Sequence, residues 1–152
     1  MTPEENQVIF QRIYDELLNQ RKLAVADELF APEFVNHAGL VQVTPTAPPA
    51  LPPGPAPMKQ LVTGLTTAFP DLRSTVEDSI AAGDKVVGRI TMSGTHHGEF
   101  LGIPATGKTF RVSQIHIYRF AVGKVVEHWA ERDDLGMLWQ LGLVPPLGQA
   151  SD

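Results

Sequence analysis

Cysteine is absent from the 152 residues, which removes disulfides, thiolate metal sites and a thiol nucleophile from consideration. Basic residues are the minority: 12 Lys and Arg stand against 17 Asp and Glu, for a net charge of -5 and a pI near 5.5. With no basic cluster on any stretch, a nucleic-acid partner is not expected. Nowhere do eighteen apolar residues run together, so neither a membrane span nor a membrane partner is expected. Met1-Thr-Pro-Glu-Glu-Asn6 lacks the basic start and apolar run of a secretory signal, and a cytoplasmic location fits. The remaining composition, 43% hydrophobic and 19% charged, is that of an ordinary globular chain. The length suits one domain over residues 1–152.

Thr2-Pro-Glu-Glu5 reads as a helix start, with Thr2 as cap, Pro3 at the first helical position and Glu5 completing a capping box. Phe10, Ile13, Tyr14, Leu17 and Leu18 then make one apolar stripe, predicting a helix to about Asn19. A second helix is predicted over 23–30, stopped by Pro32, and a third from Pro57, with Met58, Leu61, Val62, Leu65 and Phe69 as its stripe. Between them, residues 45–57 hold seven of the thirteen prolines. Such a stretch is a stiff extended loop, either a surface connection or a semi-rigid rim over a pocket.

Beyond Leu72 the pattern turns from helical to extended. Ala82-Gly-Asp-Lys85 predicts a hairpin turn, followed by a strand over 85–97, a glycine-punctuated loop over 98–108 and a long strand over 109–120. After Val122-Gly123 comes a last strand and a closing helix over 134–141 capped by Gly142. Three helices, a mostly antiparallel sheet and a final helix predict the α+β class. The last strand concentrates Glu127, His128, Trp129, Glu131, Arg132 and Asp133 within seven residues. So many ionisable and aromatic side chains on one strand predict that some of them face a small-molecule pocket.

Phe69-Pro-Asp-Leu72, Gly94-Thr-His96 with Gly98 and Phe100, Gly102-Ile-Pro-Ala-Thr-Gly107, and Gly123-Lys-Val-Val-Glu-His-Trp129 followed by Asp133, Leu135, Gly136 and Gln140-Leu-Gly142 occur in an order and spacing that resembles the SnoaL-like polyketide cyclase family, a branch of the nuclear transport factor two-like superfamily. Phe34-Val-Asn-His37 and the proline-rich loop after it extend the likeness over nearly the whole chain. The resemblance implies an α+β cone: a curved antiparallel sheet wrapped around three N-terminal helices, with a short C-terminal helix and an enclosed pocket. It also implies ring closure of an aromatic polyketide ester by intramolecular aldol chemistry with no metal or organic cofactor. A pocket aspartate near the end of the last strand would move the proton. Aligned on Glu-His-Trp and Leu-Gly, that residue is Asp133.

A carboxylate in an apolar cavity suits proton abstraction, since desolvation raises its pKa. Asp133 is therefore expected in the pocket, with Asp134 capping the closing helix, although an Asp at either position can serve as the cap. His116, on one parity with Gln114 and Tyr118, is the second catalytic candidate, as an oxyanion donor or proton carrier, against a hydrogen-bonded core or outer-face role. Glu127 and Trp129 share the parity of Asp133 and are expected beside it, Trp129 as wall or core filler. Arg89 can steady an enolate oxygen or pair across strands with Glu127 or Glu77. Asn36 and His37 stand at the expected cavity mouth or make loop-stabilising backbone bonds.

No metal is expected: His96 and His97, as strand neighbours, point to opposite faces, and Glu127-His128 does not continue as a zinc motif. No dinucleotide fingerprint, phosphate loop or nucleophile elbow is present. The leading expectation is a cofactor-independent cyclase acting on a hydrophobic carbonyl ester. Its rivals are a non-catalytic binding module and an isomerase or epoxide hydrolase in the same pocket. The apolar outward residues of the sheet make a homodimer the expected assembly.

Overall fold

The computed structural model describes residues 1–148. Helix α1 (Pro3–Arg12) begins as the sequence dictates: the Thr2 side chain accepts from the Glu5 amide at 3.1 Å and the Glu5 carboxylate accepts from the Thr2 amide at 2.7 Å. The helix then widens into a π-helical segment, Ile13–Asn19, instead of continuing as α-helix. Ile13, Tyr14, Leu17 and Leu18 of this segment are all buried in the core. At its end Asn19 acts as an extra rung of the sheet, its amide donating to the Ser74 carbonyl at 2.7 Å and its oxygen accepting from the Ser74 amide at 2.9 Å. Helix α2 is shorter than the apolar spacing predicts, Val25–Leu29, because the chain turns extended at Phe30. This places Pro32 inside strand β1 (Phe30–Asn36).

Helix α3 (Ala56–Ala68) follows the proline-rich loop, and strands β2 (Arg73–Ala82), β3 (Lys85–Thr95), β4 (Thr109–Ala121) and β5 (Lys124–Arg132) lead to the closing helix α4 (Asp134–Gln140). The five strands form one curved, unclosed sheet in the order β1-β5-β4-β3-β2. The four hairpin-linked strands pair antiparallel, while β1 joins the β5 edge in parallel. The fold is thus the expected α+β cone.

The inward face of the sheet is set by strict alternation in β4, where Phe110, Val112, Gln114, His116, Tyr118 and Phe120 are all buried. In β3 the same face carries Val86, Gly88, Ile90, Met92 and Gly94. One cluster, including Phe10, Tyr14, Phe30, Phe34, Ile90 and Tyr118, joins the first helices to the sheet. A second, around Phe69, Phe100, Phe110, Met137 and Leu141, seals the other end beneath α4. His96 is fully buried beside Phe69 and His97 is exposed. The His96 Nδ1 accepts from the Thr106 amide at 3.3 Å and so fastens the loop between β3 and β4.

Gly88 lets α1 lie directly on β3. A Cβ there would stand 2.1 Å from Cζ of the Phe10 ring, which is fully buried. Gly88→Ala is expected to cost about 1–3 kcal/mol through overpacking. Urea unfolding should show this as a lowered midpoint with the slope unchanged.

Candidate active site

Pairing across β4 and β5 sorts the polar residues of the last strand. Tyr118 lies opposite His128, His116 opposite Ala130 and Gln114 opposite Arg132. Directly paired residues point to one side of a sheet, so His128, Ala130 and Arg132 share the inward face with Gln114 and His116. Glu127, Trp129 and Glu131 pair with Arg119, Ile117 and Ile115 and belong to the outer face, although Glu131, near the end of the strand, also reaches the edge of the cavity described below. A register irregularity between Arg119 and Phe120 lets Val125 and Val126 both be buried before this alternation is established.

Inside, four side chains from three strands form a continuous hydrogen-bonded chain. Gln114 Oε1 lies 2.8 Å from His116 Nε2, His116 Nδ1 lies 2.8 Å from His128 Nε2, and His128 Nδ1 lies 3.0 Å from Asn36 Oδ1. The two imidazoles are nearly coplanar in orientation, 1° apart, and Tyr118 stacks on His128 with ring centroids 4.2 Å apart. Tyr14 meets His116 edge-on, and its hydroxyl lies 3.3 Å from that of Tyr118. Burial pushes the His116 pKa down to about 3, with Arg132 adding to the effect. Burial, then His116, Arg132 and His37, hold His128 well below the ordinary imidazole value. Both tyrosines are raised by burial.

The chain reaches a cavity of about 570 Å³ at its Asn36 end, while Gln114, His116 and His128 stand behind the lining. Asn36, Ala130 and Arg132 line it from the strands, and Pro48, Pro49 and Leu51 line it from the proline-rich loop, which thereby forms a rim. Arg132 is held by the Gly39 carbonyl at 3.0 Å and by Asp134 at 3.2 Å. Among the described residues no three His, Asp or Glu side chains converge as a metal-binding set.

Several expected positions change. Asp133 is the N-cap of α4, its exposed carboxylate accepting from the Gly136 amide at 2.9 Å, and Asp134 is the one that lines the cavity. The expected division between the two aspartates is reversed because β5 ends at Arg132 and the helix needs its cap one residue later. Trp129 and Glu127 lie on the outer face. There Trp129 stacks on His37 at 5.1 Å and Glu127 bonds His37 at 2.9 Å and Arg119 at 2.6 Å. Those partners keep the Glu127 carboxyl below its usual range, His37 contributing first. Arg89 is exposed, opposite Asp78 and Ile115; it does not line the cavity, and among the described residues it makes no ion pair with Glu127 or Glu77. His37 reaches the rim, as expected, yet its imidazole is engaged outside.

Gln114, His116 and Asn36 come together as candidate site residues. His128, Ala130 and Arg132 join them and were not anticipated there. The signal for them was the parity of β4, since whatever pairs with Gln114, His116 and Tyr118 must face inward.

Two outcomes follow from this geometry. Because both histidines are depressed, the folded state takes up fewer protons than the unfolded state below the unperturbed imidazole pKa. Their stabilisation is fully present above about pH 6.5 and is lost as the pH falls, by up to about 1.4 kcal/mol per unit for each. Thermal unfolding between about pH 6.5 and 5, above most carboxylate titration, should show this slope, and a His116→Gln/His128→Gln variant should flatten it. Ala130→Phe, in turn, fills the cavity that Ala130 lines. It should weaken uptake of an apolar fluorescent ligand by about tenfold or more while the far-ultraviolet circular dichroism stays unchanged.

Residues 8–141 match the family described as SnoaL-like polyketide cyclase. The nogalonic acid methyl ester cyclase of Streptomyces nogalater is 31% identical over 117 residues, 76% of this chain and 82% of that protein. The aklanonic acid methyl ester cyclase DnrD of Streptomyces peucetius is 36% identical over 90 residues, 59% of this chain. That match spans only 62% of the length of DnrD. Among solved structures, TsrD from Streptomyces laurentii superposes with a TM-score of 0.82 at 29% identity, covering 95% of this chain and 99% of its own. IdmH from Streptomyces antibioticus gives 0.75 at 33%, covering 93% and 99%. With a family match running from α1 to the end of α4 on a fold of the same shape, the chain belongs to the SnoaL-like polyketide cyclase family.

Proposed function

We propose that the protein closes a ring in a hydrophobic polyketide-like carbonyl ester by carbon acid/base chemistry carried out with its own side chains. The observation that carries this reading is the buried Gln114–His116–His128–Asn36 chain, whose Asn36 end lines a cavity together with Ala130 and Arg132. It is supported by the ester cyclases among the relatives of the chain.

In this reading Gln114, which covers His116 Nε2 at 2.8 Å, swings aside, and His116 removes a proton from the carbon beside a carbonyl. The C–H electron pair becomes the enolate, which attacks a second carbonyl of the same molecule. The new alkoxide then takes the proton back, so substrate and product are isomers. The half-buried Arg132 guanidinium, with both ends of its fork already oriented by Gly39 and Asp134, steadies a substrate oxygen. Neutral imidazole is the form that accepts a proton, and the depressed His116 pKa keeps it in that form throughout the neutral range. The apolar proline rim shields the enolate from water. Epoxide opening is disfavoured, since of the two aspartates that follow Arg132 one is occupied as the cap of α4.

Asp133 serves here by fixing α4, which seals the second core cluster. Asn caps a helix about as well as Asp, so Asp133→Asn should retain turnover, whereas His116→Gln should lower kcat by about 100-fold or more. Linear and anthraquinone-like polyketide methyl esters, incubated with each protein and separated chromatographically because the products are isomers, provide the assay. Loss of turnover in a folded Asp133→Asn protein would return the acid/base role to Asp133. Equal retention of ligand without product by all three proteins would make the cavity a binding site only.

A further inference from the structure

The orientation of one carboxamide decides which way the hydrogens point along the buried chain. Asn36 Oδ1 accepts from the Ala38 backbone amide at 3.0 Å, a donor that cannot reverse its role. The oxygen of Asn36 therefore also faces His128, and His128 Nδ1 must carry a hydrogen to meet it at 3.0 Å. In a neutral imidazole the other nitrogen is then a lone pair. His128 Nε2 accordingly accepts, and the hydrogen in the 2.8 Å contact between the two rings belongs to His116 Nδ1. That leaves His116 Nε2 as a lone pair facing Gln114 at 2.8 Å.

Gln114 consequently has two settings. With Oε1 toward His116, two lone pairs would oppose each other unless His116 carries an extra proton. With the amide turned over, Gln114 donates to the neutral ring. A half-turn exchanges oxygen and nitrogen without altering the shape of the side chain, and Met92 Sδ, 3.7 Å from the far end of the amide, is too weak a partner to fix either setting.

We propose that Asn36, acting through His128, is a positioning residue that holds His116 in its Nδ1–H tautomer with Nε2 as the proton-accepting atom, and that the Gln114 amide turns over when that atom is protonated. The catalytic meaning of this arrangement rests on the ring-closure reading; the tautomers themselves do not. With Gln114 swung aside, His116 Nε2 takes the proton of the substrate carbon, the electron pair stays on the substrate as enolate, and Gln114 returns with Oε1 accepting from Nε2–H. When the proton passes to the alkoxide, the amide turns back. The groups facing the pair are Tyr14 from the π segment, Tyr118 from β4, Arg132 from β5 and His37 from the end of β1. Among the described residues no carboxylate is hydrogen-bonded to the chain. Nothing there retains the extra proton once the enolate is gone.

Long-range nitrogen–proton correlation spectra of the labelled full chain at neutral pH test this directly. The expected result is the Nδ1–H tautomer for both His116 and His128, and an Nε2–H signal from either overturns the proposal. Asn36→Leu should release the Nδ1–H tautomer and lower kcat by about tenfold or more. Asn36→Asp, whose carboxylate can only accept, should restore the tautomer and part of kcat. Unchanged tautomers in Asn36→Leu also overturn the proposal, and if that variant does not fold, the wild-type spectrum decides alone. Wild-type protein with these tautomers but no turnover of any polyketide ester would sink the ring-closure reading and support the assignment of the tautomers.

Discussion

Mutual satisfaction of Asn36, His128, His116 and Gln114 is the constraint around which the inward face of this sheet is built. A buried polar group without a partner costs about 1–3 kcal/mol, and four of them in one core would consume much of the stability of a domain this size. Each requirement fixes a different level of structure. The His116–His128 contact demands the observed register of β4 on β5, since sliding by one residue would send both rings to opposite faces. The contact from His128 to Asn36 demands that β1 run parallel along β5 with Asn36 beside His128. The tyrosine pair and the flat stack of Tyr118 on His128 close the apolar side of the same cluster.

Local patterns in the sequence foretold much of the fold because they report local physics. The Thr2–Glu5 box, the hairpin turn before Lys85 and the alternation through β4 each depend on a few neighbouring residues, and each is found where those residues place it. The π-helical widening after Arg12 was not legible, because the apolar spacing of Ile13 to Leu18 suits an α-helix equally well. The early extension at Phe30 arises from pairing with Val125, a partner nearly a hundred positions away. Propensity in the second helix could not reveal it.

The site was legible in its parts and misread in its assembly. Gln114, His116 and Asn36 were identifiable as polar residues in a strand or strand-like setting. The assembly depended on which face of β5 looks inward, and that was inferred from an aspartate, Asp133, that lies beyond the end of the strand. Parity carried backward from Asp133 put Glu127 and Trp129 inside; parity carried across from β4 puts His128, Ala130 and Arg132 there. Cross-strand pairing is the sounder guide, since a helix cap breaks the alternation that a strand enforces.

Asn36 and His37 are adjacent and face opposite sides of β1, one buried among the imidazoles and the other held outside by Glu127 and Trp129. The same peptide link is also fixed by the His37 amide donating to the His128 carbonyl at 2.8 Å. The end of this edge strand is therefore bolted through the sheet, its head on the outer surface and its shank in the core. Outer-surface positions such as Trp129 and Arg119 thus belong to the tolerance map of the cavity. Diversity introduced there to alter the surface would be felt within, while the proline-rich rim, which begins after this bolt, can be rebuilt without loosening it.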